Sequence, residues 1–103
     1  MSDGALRQKV VIRNPQGFHM RPKAAFVKLA SGFPCDVRVC WNGQAFNGKS
    51  MFELMLLAAE QGQEVVVEAA GAGADEAVPA LAAVLAAVGE EAEGPTSPQL
   101  NNS

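Results

Sequence analysis

The sequence is poor in the side chains that build metal and disulfide sites, with two cysteines and one histidine in 103 residues. Cys35 and Cys40 stand five apart in one expected strand, so they face opposite sides and do not bridge. C-x-x-C spacing and a Cys/His cluster are both lacking, which excludes structural zinc, and the sequence calls for no metal or cofactor. Dense basic runs are missing too, and the formal net charge is −3, which argues against nucleic acid as a partner. The opening Met-Ser-Asp-Gly carries no apolar signal segment, and the longest apolar run is shorter than a membrane span. The expectation is a cytoplasmic chain without membrane insertion. Nothing in the sequence demands more than a monomer, and no internal repeat is present.

What the chain has is apolar bulk. With 49% apolar and 18% charged residues it supports one folded domain. The length rules out most self-sufficient enzymes with large clefts and leaves carriers, binding modules and small regulators. The charge is divided unevenly. All eight Lys and Arg lie in the first 49 positions with only Asp3 and Asp36 against them, a formal +6. Residues 50–103 hold nine acids and no Lys or Arg, a formal −9. Two readings stand side by side: a basic face that meets acidic partners, or halves that interleave and cancel.

Residues 7–13 are rich in β-branched types and predict a strand. Asn14-Pro15-Gln16-Gly17 is a turn. Residues 20–31 predict a helix with Ala25, Phe26 and Leu29 as its apolar stripe and Lys23 and Lys28 off it. Strands follow at 36–41 and 44–47, joined by the hairpin dipeptide Asn42-Gly43. A second helix is expected over 50–60 and a fourth strand over 63–70. A third helix is expected from an Asp75 N-cap to Val88, with Gly89 as its stop. Residues 1–6 form a flexible N-terminus in this scheme, 7–89 the domain and 90–103 a disordered acidic tail. The order β-α-β-β-α-β-α fits an α+β two-layer sandwich.

Gly43 to Ser50 matches the phosphate-loop pattern G-x-x-x-x-G-K-[ST] letter for letter. That motif belongs to larger parallel-sheet nucleotide enzymes, and Gly43 is better explained by the hairpin, so the nucleotide reading is rejected. His19 is more informative. It opens the first helix, where free N–H groups and the dipole attract anions. Arg21 adds a planar donor fork suited to phosphate. An imidazole here is a nucleophile, and a phosphoryl group on it would lie against the helix N-terminus within reach of Arg21. No carboxylate stands close in sequence to orient the ring, so a Ser-His-Asp hydrolase is unsupported. The plain alternative is a helix cap and a solvated arginine.

Residues 17–27, GFHMRPKAAFV, resemble the active-site segment of the histidine-containing phosphocarrier (HPr) family of the phosphoenolpyruvate-dependent sugar phosphotransferase system. Asn47-Gly48-Lys49-Ser50, followed by an apolar helix and Ala59-Glu60-Gln61-Gly62, is similar to the family's second landmark. The resemblance spans about residues 7–88. It implies an open-faced sandwich, a four-stranded antiparallel sheet with three helices on one face. It also implies a non-enzymatic phosphoryl carrier phosphorylated on Nδ1 of His19, with Arg21 stabilising the phosphate. Its partners would be enzyme I and the IIA components of sugar permeases. Ser50 would match the serine that an HPr kinase/phosphorylase modifies in some bacteria, with a transcriptional regulator reading the result. Phe18, Met20, Lys23 and Glu53 depart from the usual family residues. The alternative within the fold is a regulatory binding protein that controls kinases or transcription factors without sugar transport; retention of His19 and Arg21 argues against it.

Ser50-Met51-Phe52-Glu53 reads as a capping box, the serine taking the Glu53 N–H and the glutamate reaching back. Met20, Met51, Phe52 and Met55 form an expected apolar docking patch near His19, with Lys23 and Lys28 as its basic rim. The alternative places Phe52 and Met55 partly in the core.

Overall fold

A computed structural model describes residues 4–87. The third helix's expected end at Val88 and Gly89, the tail 90–103 and the first three residues lie outside the described residues. Seven elements follow in order: β1 (Ala5–Val11), α1 (Met20–Ser31), β2 (Asp36–Trp41), β3 (Gln44–Asn47), α2 (Met51–Leu54), β4 (Glu64–Ala70) and α3 (Ala74–Ala86). The strands form one antiparallel sheet in the order β1-β4-β2-β3. The helices cover one face of it, and the fold is an α+β open-faced sandwich.

Alternation sets the two faces of the sheet. Val10, Val37, Val39, Phe46, Val65, Val67 and Ala69 turn inward and meet Phe26 and Ala30 of α1 and Ala77, Leu81 and Leu85 of α3. On the open face, Glu68 of β4 lies between Arg7 of β1 and Arg38 of β2, at 2.6 Å and 3.5 Å. Cys35 is buried and Cys40 is half-buried, both as free thiols, the latter one strand residue on from Val39 and so on the opposite face. Asn42 and Gly43 both take positive φ, +55° and +78°, as the two-residue hairpin between β2 and β3 requires.

Four sequence expectations need correction. β1 starts at Ala5, so Ala5 and Leu6 of the expected flexible N-terminus pair with Ala70 and Ala69 instead. The buried face of α1 is Pro22, Lys23, Phe26 and Ala30, about one residue round from the expected stripe, and Leu29 is exposed. Lys23, the fourth residue of the helix, sets its ammonium over the Phe18 ring and is buried there. The second helix is a single turn, Met51–Leu54, and not an element over 50–60. Beyond it the chain opens so that Leu57 and Ala59 turn into the core and the Ala59 carbonyl faces the His19 loop. The N-cap of α3 is Gly73, at φ +84°, and not Asp75; Asp75 and Glu76 fall in the first turn, where the dipole favours them.

Candidate functional site

The loop before α1 is held by its own backbone. The Asn14 carbonyl accepts from the Gly17 N–H at 2.8 Å, closing a turn that Gly17 completes at φ +72°. A Cβ on Gly17 would stand 2.8 Å from the Ala59 carbonyl oxygen, so only glycine allows this approach. The next N–H, that of Phe18, donates to the same Ala59 oxygen at 3.0 Å. Phe18 is buried edge-on to Phe26, with ring centroids 6.1 Å apart. One residue later the chain enters α1, and His19 is its N-cap, in extended backbone conformation and half-buried. Its carbonyl takes the first helical bond, from Lys23 N–H at 3.0 Å, while its ring caps no backbone N–H.

Asn14, buried to 5% exposure, approaches the ring: its Nδ2 lies 3.4 Å from Nε2 of His19. Asn14 was not singled out in the sequence, where Asn-Pro-Gln-Gly reads as an ordinary turn. Among the described residues nothing bonds Nδ1. The site therefore presents one engaged ring nitrogen, one open ring nitrogen and the first turn of a twelve-residue helix. Arg21 is exposed on that first turn.

The expected rim is only partly assembled. Met20 and Met55 are about half exposed, Phe52 is 74% exposed, and Met51 is half-buried. Phe52 and Met55 are thus surface residues rather than core. Leu56, 61% exposed, joins them and was missed because a longer helix was expected there. α2 packs against α1, which brings this apolar turn towards the helix that His19 opens. Lys23 does not belong to the rim. It is buried, its ammonium 5.7 Å from the Phe18 ring centroid, and burial lowers its pKa from the ordinary lysine value. Lys28 is exposed in the last turn of α1, ~13 Å along the axis from His19 at the usual helical rise.

Ser50 caps α2, its Oγ accepting from Glu53 N–H at 3.2 Å. The return arm of the capping box differs from expectation. Glu53 Oε1 accepts from Asn47 N–H at 2.8 Å, because the Ser50 N–H is already donated to the Asn47 carbonyl. Lys49 donates its ammonium to the Phe33 carbonyl at 2.6 Å and its backbone N–H to Asn47 Oδ1 at 2.9 Å. Gly-Lys-Ser is therefore a joint between hairpin and helix, and its lysine is committed to a main-chain oxygen. Among the described residues no three His, Cys, Asp or Glu side chains converge as a metal site, and no helix is long and apolar enough to cross a membrane.

The family model described as the PTS HPr component phosphorylation site matches residues 6–87. The chain belongs to the HPr family. It is 40% identical over 78 residues to the phosphocarrier protein HPr of Vibrio cholerae, covering 76% of this chain and 92% of that protein. It is 37% identical over 62 residues to the HPr of Chlamydia pneumoniae, covering 60% and 57% of the two chains. The crystal structure of an HPr from Bacillus anthracis superposes with a TM-score of 0.75 at 32% identity, over 79% of this chain and 96% of that one. The shared family is that of phosphocarriers of the phosphotransferase system. His19, at the start of α1, stands inside the segment that the HPr phosphorylation-site model matches.

Proposed function

We propose that this chain accepts a phosphoryl group on Nδ1 of His19 from enzyme I, which takes it from phosphoenolpyruvate, and passes it to IIA components of a sugar phosphotransferase system. One observation carries the reading. The only histidine caps a twelve-residue helix with one ring nitrogen engaged by Asn14 and the other without a partner among the described residues. A phosphoryl group formed on Nδ1 would meet the open N–H groups and positive end of α1. Arg21, on the same turn, supplies charge-assisted donors for its oxygens. The exposed Met20, Phe52, Met55 and Leu56 suit brief docking of several partners. The chain acts in this reading as a cytoplasmic monomer, and any magnesium belongs to enzyme I.

Ser50 is the regulatory site of the same reading. A phosphate on its Oγ would keep an oxygen near the Glu53 N–H but would also face the Glu53 carboxylate, whose repulsion opposes the modification. An HPr kinase/phosphorylase and a transcriptional regulator would be its partners.

The test is intact mass after incubation with phosphoenolpyruvate, magnesium and purified enzyme I, beside a His19→Ala control. The expected result is one acid-labile phosphoryl group, absent from the control. No gain, with the same enzyme I active on another carrier, would overturn the carrier reading in favour of an HPr-like regulator.

A further inference from the structure

We propose that the groove between β1 and the end of α3 is a docking site for an acidic segment of the same chain, residues 90–93, held there by Lys9 and Arg13. This contact does not depend on the phosphocarrier reading. β1 is an outer strand of the sheet, paired only with β4. Beside it α3 offers only short side chains, Pro79, Ala82, Ala83 and Ala86, and an open groove of about 420 Å³ is left between strand and helix. No β4 residue lines this groove, so it runs along the side of β1 away from the rest of the sheet. Lys9 and Arg13 line it too. Both are exposed, and neither forms an ion pair with a described residue.

Charge and reach select the occupant. Residues 50–103 contain no Lys or Arg, so Glu90, Glu91 and Glu93 find cations only in the first half of the chain. Most of those cations are engaged or distant. Arg7 and Arg38 bracket Glu68, Lys49 is bonded to the Phe33 carbonyl, and Lys23 is buried. Lys28 is in the last turn of α1, and just beyond it Phe33 and Pro34 lie against Gly73, the N-cap of α3. That end of the thirteen-residue helix is ~20 Å from its last turn. Arg21 is a single charge at the start of α1. Lys9 and Arg13, in contrast, are a pair of cations in the groove that Ala86 itself lines. Glu90 follows Ala86 by four residues and Glu93 by seven, ~13–25 Å of extended chain. Closing so short a connection costs little entropy. Exposed ion pairs of this kind are weak and screened by salt, so the contact forms at low ionic strength and adds little to global stability. Seated there, the segment covers the outer edge of β1, whose unpaired N–H and C=O groups otherwise invite strand pairing with another chain.

The test compares backbone amide NMR spectra of the full chain and of a variant carrying Glu90→Gln, Glu91→Gln and Glu93→Gln together, which keeps the length and removes the charge. At about 0.01 M salt, where charges act over ~30 Å, the amides of residues 9–13 and 79–86 are expected to differ between the two chains. At about 1 M, where that range falls to ~3 Å, the difference is expected to be lost. Lys9→Gln combined with Arg13→Gln should abolish it at low salt as well, while Lys28→Gln should leave it intact. All three cations are exposed, so these substitutions leave the core untouched. Differences centred on residues 19–21 would place the acids at the start of α1. Differences that grow with protein concentration would place them on a second copy. An unchanged spectrum at residues 9–13 would leave the groove without this occupant. Each of these three outcomes overturns the proposal.

Discussion

Lys23 brings an ammonium into the helix-packing layer, 5.7 Å from the Phe18 ring centroid, with no ion pair among the described residues. The ring face returns part of what desolvation costs. The sign of the remainder follows from its pKa, which burial lowers from 10.5. A base with a depressed folded pKa binds fewer protons folded than unfolded. Its penalty is therefore fully present below the folded pKa and fades as the pH rises towards the ordinary lysine value. Lys23→Met keeps the stem and drops the charge. It is expected to stabilise the chain at neutral pH by about 1 kcal/mol, a gain that shrinks as the pH nears 10.5. Urea unfolding of the two chains across that range checks it; a less stable variant at neutral pH would show the ammonium to be a net asset. Periodicity could not see this residue, because a lysine counts as polar in any helical pattern while its four-carbon stem packs as hydrocarbon. Asn14 escaped for a related reason: its residue type suits an exposed turn, and only the fold shows it buried beside His19. The place of His19 and Arg21 at a helix start was legible, because the turn before them and Pro22 are local signals.

α2 shows what local propensity leaves open. Residues 55–60, Met-Leu-Leu-Ala-Ala-Glu, are good helix formers, yet the regular helix stops at Leu54. Continuing it would withdraw the Ala59 carbonyl from the Phe18 N–H and leave the His19 loop without its anchor. That contact joins residues far apart in sequence, so no window over α2 could reveal it. The strand ends were legible to within two residues, since alternation and the Asn-Gly hairpin are local signals. Gly48, between β3 and α2, is the joint where this element-scale packing is tightest. Its N–H donates to the Val37 carbonyl at 2.8 Å. A Cβ there would fall 2.6 Å from Val37 Cγ1 and 2.8 Å from Phe26 Cε1. Gly48→Ala should therefore cost ~1–3 kcal/mol through overpacking where α1, β2 and α2 meet. Denaturant unfolding with an unchanged slope and a lower midpoint is the expected result. An unchanged midpoint would mean that Val37 and Phe26 yield without cost.

For the molecule as a whole, the uneven charge of the sequence is folded partly away. β4, from the acidic half, lies between β1 and β2 from the basic half, and Glu68 bridges Arg7 and Arg38 across it. On the open face of the sheet, then, the halves interleave and cancel. The formal excess is carried by the last residues of the sequence. Glu90, Glu91 and Glu93 equal the chain's whole formal −3, so residues 1–89 are formally neutral. Every core side chain described lies between Val10 and Leu85. Removing residues 90–103 should accordingly leave the melting temperature within about 2 °C of the full chain, since the described core is built wholly from residues 10–85. The same cut should lower solubility, because the net charge falls to zero. It should also quicken phosphoryl uptake from an acidic donor protein at low salt, through faster encounter, and the difference should vanish as ions screen it. Calorimetry and uptake rates at two ionic strengths separate these effects. A clearly lower melting temperature would assign residues 90–103 a share of the fold, and a rate difference that persists at high salt would place them in contact with the donor rather than merely in its field.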